Sequence, residues 1–318
     1  MAETATAPTP VNQLPREQSP GIQLIDNNKE NPNVWAQLGS ATRQEVAGTP
    51  AIGVEAKPNN QERVAENTEK LEASGEVGQF LAGVYQAALE ENPQLATAVI
   101  RTGSKTEDAT LGKTGGYARH KDMNPDSEYS ITVNTNDGFE HYEELLKTRS
   151  TAAEIATRKM GIDPNAMDVK TFAGFIFAHE LGHIGDYMKN APTRQLKDER
   201  RKRDLATLPV PGLDPSQLAS YLEREDGQAY FASNMEALAS KGINTAAELI
   251  NVQETSYRKV ETEDIPDQFA AKVMAKIRAD KAAAIANNPE LADQHIEGLR
   301  AKIDKLHESI EPVQVPEE

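Results

Sequence analysis

His179-Glu180-Leu181-Gly182-His183 places two imidazoles four residues apart, with a carboxylate beside the first. On a helix, residues four apart share one face about 6 Å apart along the axis. Both rings can then reach a single ion at about 2.0–2.1 Å. Glu180 is turned about 100° from His179, beside the ion rather than on it. From there a carboxylate can take a proton from an attacking water. Zinc lowers the pKa of a bound water from about 15.7 to about 7, so hydroxide becomes available at neutral pH. The pattern predicts His179 and His183 as zinc ligands and Glu180 as general base.

The flanks support this chemistry. Every residue from Phe172 to Ala178 is uncharged, as are Leu181, Gly182, Ile184 and Gly185. Two histidines on so apolar a helix would be costly without partners. Gly174, Gly182 and Gly185 oppose a helix by about 1 kcal/mol each. They mark either places where another backbone comes close or a kink.

A catalytic zinc normally has three protein ligands and one open position. An extended pattern with glycine at 186 and histidine at 189 is excluded, since Asp186 and Lys189 stand there. No cysteine is present. The four other histidines are not on the motif helix. Two carboxylates compete. Asp186 lies one turn beyond His183, where it orients an imidazole, ligates the ion, or is a surface or capping carboxylate. Glu236, in Tyr230-Phe231-Ala232-Ser233-Asn234-Met235-Glu236-Ala237-Leu238-Ala239, is one carboxylate amid apolar neighbours, a costly place for an unpaired charge. Other signals are weak. Gly112-Lys113-Thr114 resembles the end of a phosphate loop, but Glu107 occupies the position that needs glycine. His120 and His141 flank a strand and are either surface or cleft residues.

The elements that must position these groups show in the periodicity. Val77, Phe80, Leu81, Val84, Tyr85, Ala88 and Leu89 fall at helical spacing, closed by Asn92-Pro93. Leu95–Ile100 and Tyr129–Val133 read as strands, with a loop or hairpin between them. Phe139 to about Met160 is helical. Asp168 is placed to cap a motif helix running from Val169 to about Lys189. Lys197 to Asp204 reads as a solvated helix face. Helical stretches follow near 215–224, 227–240 and 245–257. Phe269, Val273 and Ile277 mark one C-terminal helix. Ile296, Leu299, Ile303, Leu306 and Ile310 mark a second, which suits a helical hairpin or a partner helix.

The 318 residues carry 34 Lys+Arg against 50 Asp+Glu, a formal net charge of −16. Such a surface argues against binding nucleic acid or an anionic membrane. No apolar run approaches the about 20 residues of a spanning helix, and no Sec-type signal opens the chain. The expected location is cytoplasmic, or outside the cell by another route. Seven of the 18 prolines fall in the first 60 residues, with Trp35 the only aromatic before Phe80. Residues 1–68 are therefore expected to be a disordered arm. An α+β domain over 69–260 and a C-terminal helical hairpin over 261–318 complete the expected organisation.

The motif, followed by Asp186-Tyr187 and a downstream Asn/Glu/Ala helix, resembles the gluzincin metallopeptidases. The similarity is closest to the anthrax-lethal-factor-like catalytic domains and covers about 170–240. It implies a zincin-like core with a small sheet and an active-site helix. It further implies Glu236 as third ligand and a tyrosine stabilising the oxyanion, for which Tyr230 is the candidate. The expected activity is zinc-dependent endopeptidase cleavage of a protein or peptide substrate. Tyr129–Val133 would be the sheet edge on which the substrate adds as a strand. The alternative is a catalytically silent zincin-derived structural or interaction protein, but such a module has no use for Glu180.

Overall fold

The computed structural model describes residues 59–163, 166–288 and 297. Most of the arm expected to be disordered, and the second helix of the expected hairpin, lie outside these residues. Residues 60–68, assigned to the arm, are helical. The secondary structure is of the α+β class, mostly helical with one three-stranded sheet. The chain divides into two units: residues 60–190 with those from 265 on, and residues 191–264.

The unit that carries the motif opens with α1 (Asn60–Ala73) and α2 (Gly75–Glu91). Val77, Leu81, Val84, Tyr85 and Ala88 are the buried stripe of α2, matching the helical spacing of the sequence. Asn67 of α1 ties this pair to the sheet. Its Nδ2 donates to Tyr85 Oη (3.0 Å) and to Ala98 O (2.8 Å), and its Oδ1 accepts from Ile100 N (3.0 Å). All four ends of these bonds are buried, so each exchanges water for a protein partner.

Residues Pro93–Thr97 form a 3-10 turn, and β1 follows at Val99–Gly103, later than the expected Leu95–Ile100. Pro93 at the start of the turn and the Asn92 side chain accepting from Gln94 N explain the delay. The stretch expected to be loop or hairpin holds α3 (Ala109–Thr114) and β2 (Gly116–Arg119). Gly115 ends α3 at φ +77°, and a Cβ there would stand 3.0 Å from Tyr142 Cε1. Only glycine meets both demands without strain.

β3 (Ser130–Asn134) lies between the other two strands, parallel to β1 and antiparallel to β2. The expectation that this segment forms the sheet edge is therefore corrected. It is central, with Ile131 opposite Ile100 on one side and Ala118 on the other. β2 is an outer strand. Its sequence, Gly-Tyr-Ala-Arg, is too short and too mixed to declare itself as a strand.

Two helices, α4 (Gly138–Thr148) and α5 (Ser150–Met160), replace the one expected after Phe139. The motif helix α6 spans Val169–Asn190, and Asp168 Oδ1 accepts from Thr171 N at 2.6 Å, the expected cap. Phe172, Phe177, Ala178, Leu181 and Ile184 of α6 enter a core shared with Ile131, Val133, Tyr142 and α2. Residues 191–264 form the second unit: α7 (Arg194–Leu205), α8 (Pro215–Leu222), α9 (Glu225–Ser233), α10 (Met235–Ala239) and α11 (Ala246–Tyr257). They enclose a smaller core of Val210, Leu218, Tyr221, Leu222, Ile243 and Leu249. Helix α12 (Glu261–Asn287) begins in this unit and continues into the other. There Ala270, Val273 and Met274 are buried. Among the described residues no helix is long and apolar enough to cross a membrane.

Candidate metal centre

The site is built on α6, where burial of the apolar face outweighs three glycines. His179 is buried, and Glu180 and His183 are half-buried. One potential ligand atom from each lies within 4.8 Å of the others, close enough to share an ion. The two imidazoles meet edge to face with ring centroids 4.6 Å apart. They belong to a ladder of four rings at four-residue spacing on α6. Phe175 stacks on His179 at 6.5 Å, and Tyr187 stacks on His183 at 5.8 Å. Aromatic rings thus flank the imidazole pair at both ends along the helix.

The ladder continues off the helix. His120, at the C-terminal end of β2, meets Tyr187 edge-on at 5.7 Å and Tyr129 at 5.2 Å. It is fully buried, and its Nδ1 accepts from Asp122 N at 3.2 Å. This bond assigns the neutral ring's proton to Nε2. His141, the other histidine flanking β3, is also buried, with Nε2 facing Leu111 O at 3.0 Å. Both are interior groups rather than surface ones.

β2 comes close to the motif on its inward face. A Cβ built on Gly116 would stand 3.5 Å from Glu180 Cγ and 3.3 Å from Thr132 O. Glycine at this position lets the strand backbone lie close to the Glu180 stem.

The remaining sequence candidates have the following surroundings. Asp186 is buried, and its Oδ1 accepts from Asn190 Nδ2 at 2.7 Å, one turn further along α6. Glu236 lies in the other unit, exposed on the five-residue helix α10. The apolar setting that made its charge look costly is absent there, because the expected single helix breaks at Asn234. Tyr230 is half-buried in the same unit. Its ring lies 6.0 Å from that of Tyr221, and burial raises its hydroxyl pKa.

One residue escaped sequence reasoning. Asp267 of α12 is 1% exposed, and its Oδ1 stands 2.8 Å from His179 Nδ1. The approach is close but falls outside the geometry of an in-line hydrogen bond. The only sequence signal was an aspartate between Pro266 and the apolar Phe269–Val273 repeat.

The donor set suits a first-row divalent ion: two imidazoles and a carboxylate, with no thiolate. No protein-family model matches the chain, and no curated protein or solved structure matches it either.

Proposed function

We propose that this chain is a zinc-dependent endopeptidase with a zincin-like catalytic unit. The observation that carries the proposal is the convergence of His179, Glu180 and His183 on one helix face, within 4.8 Å of one another. His179 and His183 would hold the ion. Zinc bound there would acidify a water to a pKa near about 7 and polarise the scissile carbonyl. Glu180 would take the proton of the attacking water and hand it to the leaving amine. Its position beside one ligand suits both transfers. An extended substrate would lie along the outer strand β2, adding main-chain hydrogen bonds to the sheet. The overall charge of −16 keeps nucleic acids and anionic membranes out of consideration.

The test combines metal analysis with a cleavage assay. Purified full-length chain, replenished with zinc and dialysed, is expected to hold about one equivalent. It should cleave a casein-like substrate, and cleavage should stop with a chelator and return with zinc. Less than about a tenth of an equivalent would overturn the metal assignment. Full metal without cleavage of any of a broad peptide set would favour the catalytically silent alternative. Glu236→Ala belongs in the same titration. A loss of zinc affinity by orders of magnitude marks Glu236 as the third ligand, and an unchanged affinity removes it.

A further inference from the structure

A carboxylate buried as deeply as Asp267 costs several kcal/mol unless a donor or positive charge meets it. The nearby His179 Nδ1 can meet that need as an N–H. Asp267 arrives there because α12 packs antiparallel on α6. Its Pro266 lies over Gly182, and its Met274 lies over Gly174. A Cβ on Gly182 would stand 2.7 Å from Pro266 Cα and 3.1 Å from Pro266 O. The first contact is closer than a side chain permits, so glycine at 182 sets how near the α12 backbone comes. The neighbouring residue, Asp267, inherits its register from that contact.

The two ring nitrogens of an imidazole point to opposite sides, and a carboxylate at one side decides which of them faces a metal. We propose that Asp267 is a positioning residue for His179. It holds the proton on Nδ1 and thereby presents Nε2 to the ion. A small turn of the ring about χ2, a broad and soft torsion, brings the N–H into line with Oδ1. Helix α12 is thus a working part of the metal centre, not only a surface for a helical partner. This inference rests on the zinc assignment above.

Zinc affinity of the full-length chain, measured by competition with a chromophoric chelator, tests it in wild type, Asp267→Asn and Asp267→Ala. Circular dichroism and thermal melting identify which variants fold. Loss of the carboxylate should weaken zinc binding about 10–100-fold. The Asn variant, which keeps an acceptor oxygen, should fall at the smaller end. Cobalt-substituted wild type and Asn variant should share one coordination number in their visible spectra, because Asp267 is not itself a ligand. An unchanged affinity in either folded variant overturns the proposal, as does a cobalt spectrum that loses a ligand on substitution. Both outcomes require wild type that binds zinc. A wild-type chain without zinc uptake overturns the metal assignment and this inference together.

Discussion

Gly116 lies directly against Glu180: a single methyl on the outer strand would stand 3.5 Å from the carboxylate's own stem. The carboxylate proposed as general base and the strand proposed to receive substrate therefore pack directly against each other. Changes in one are felt by the other.

Substitution of Gly116 should separate catalysis from metal binding. Gly116→Ala adds a methyl at ordinary contact distance from Glu180, but at a tighter 3.3 Å from Thr132 O. It should cost less than about 1 kcal/mol. Gly116→Val adds a branch over the Glu180 stem and should lower kcat at least about tenfold, with zinc content unchanged. Steady-state cleavage beside elemental analysis checks this; loss of metal in parallel with rate would refute it.

Glu180→Gln should keep both fold and zinc and lose nearly all hydrolysis. The amide cannot accept the water's proton, and general base catalysis is worth at least about a hundredfold. Cleavage at the wild-type rate would remove the assignment. Loss of zinc would make Glu180 part of the ligand set instead.

Gly182→Ala has two opposing effects. Alanine favours the helix by about 1 kcal/mol, while forcing Pro266 away costs about 1–3 kcal/mol. Because the nearest atom is backbone, at 2.7 Å, the clash should prevail. Urea denaturation should show a net destabilisation of up to about 2 kcal/mol; a stabilised variant would contradict the packing described.

Asn67→Ala should be among the more damaging substitutions remote from the motif. It strips partners from Ile100 N, Ala98 O and Tyr85 Oη, all in buried surroundings. Unsatisfied buried groups cost about 1–3 kcal/mol each, partly relieved by water entry. A total near about 2–4 kcal/mol is expected from equilibrium unfolding, with zinc affinity little changed.

The legible parts of the sequence were those where one local rule acts alone. The motif helix, its Asp168 cap and its close-approach glycine at 182 follow from spacing, capping and the cost of glycine. α2 follows from a clean apolar stripe. β2 did not show because four mixed residues after Gly115 carry no period, and its pairing with β3 is a tertiary fact. Without β2, β3 looked like an edge. Glu236 drew attention through apolar neighbours in sequence, yet those neighbours are divided between two short helices and the carboxylate is exposed. Asp267 stayed hidden for the opposite reason. It is buried on a helix that packs against α6, where His183 lies 84 residues earlier in the chain, and no local pattern reports so distant a contact. The four-residue spacing of Phe175, His179, His183 and Tyr187 was in plain view and would have given the ring ladder.

The unit that bears the motif is discontinuous, interrupted by residues 191–264. During synthesis α6 therefore emerges well before the segment that supplies Asp267. At about 5–20 residues per second, the 77 residues from Asn190 to Asp267 take about 4–15 s. For that interval Gly182 has no Pro266 against it, and His179 has no carboxylate at its Nδ1. A nascent chain would thus carry its histidine pair before the centre around it is complete. The metal site proposed above would then be complete only after the later helix is translated, a built-in delay between making the motif and arming it.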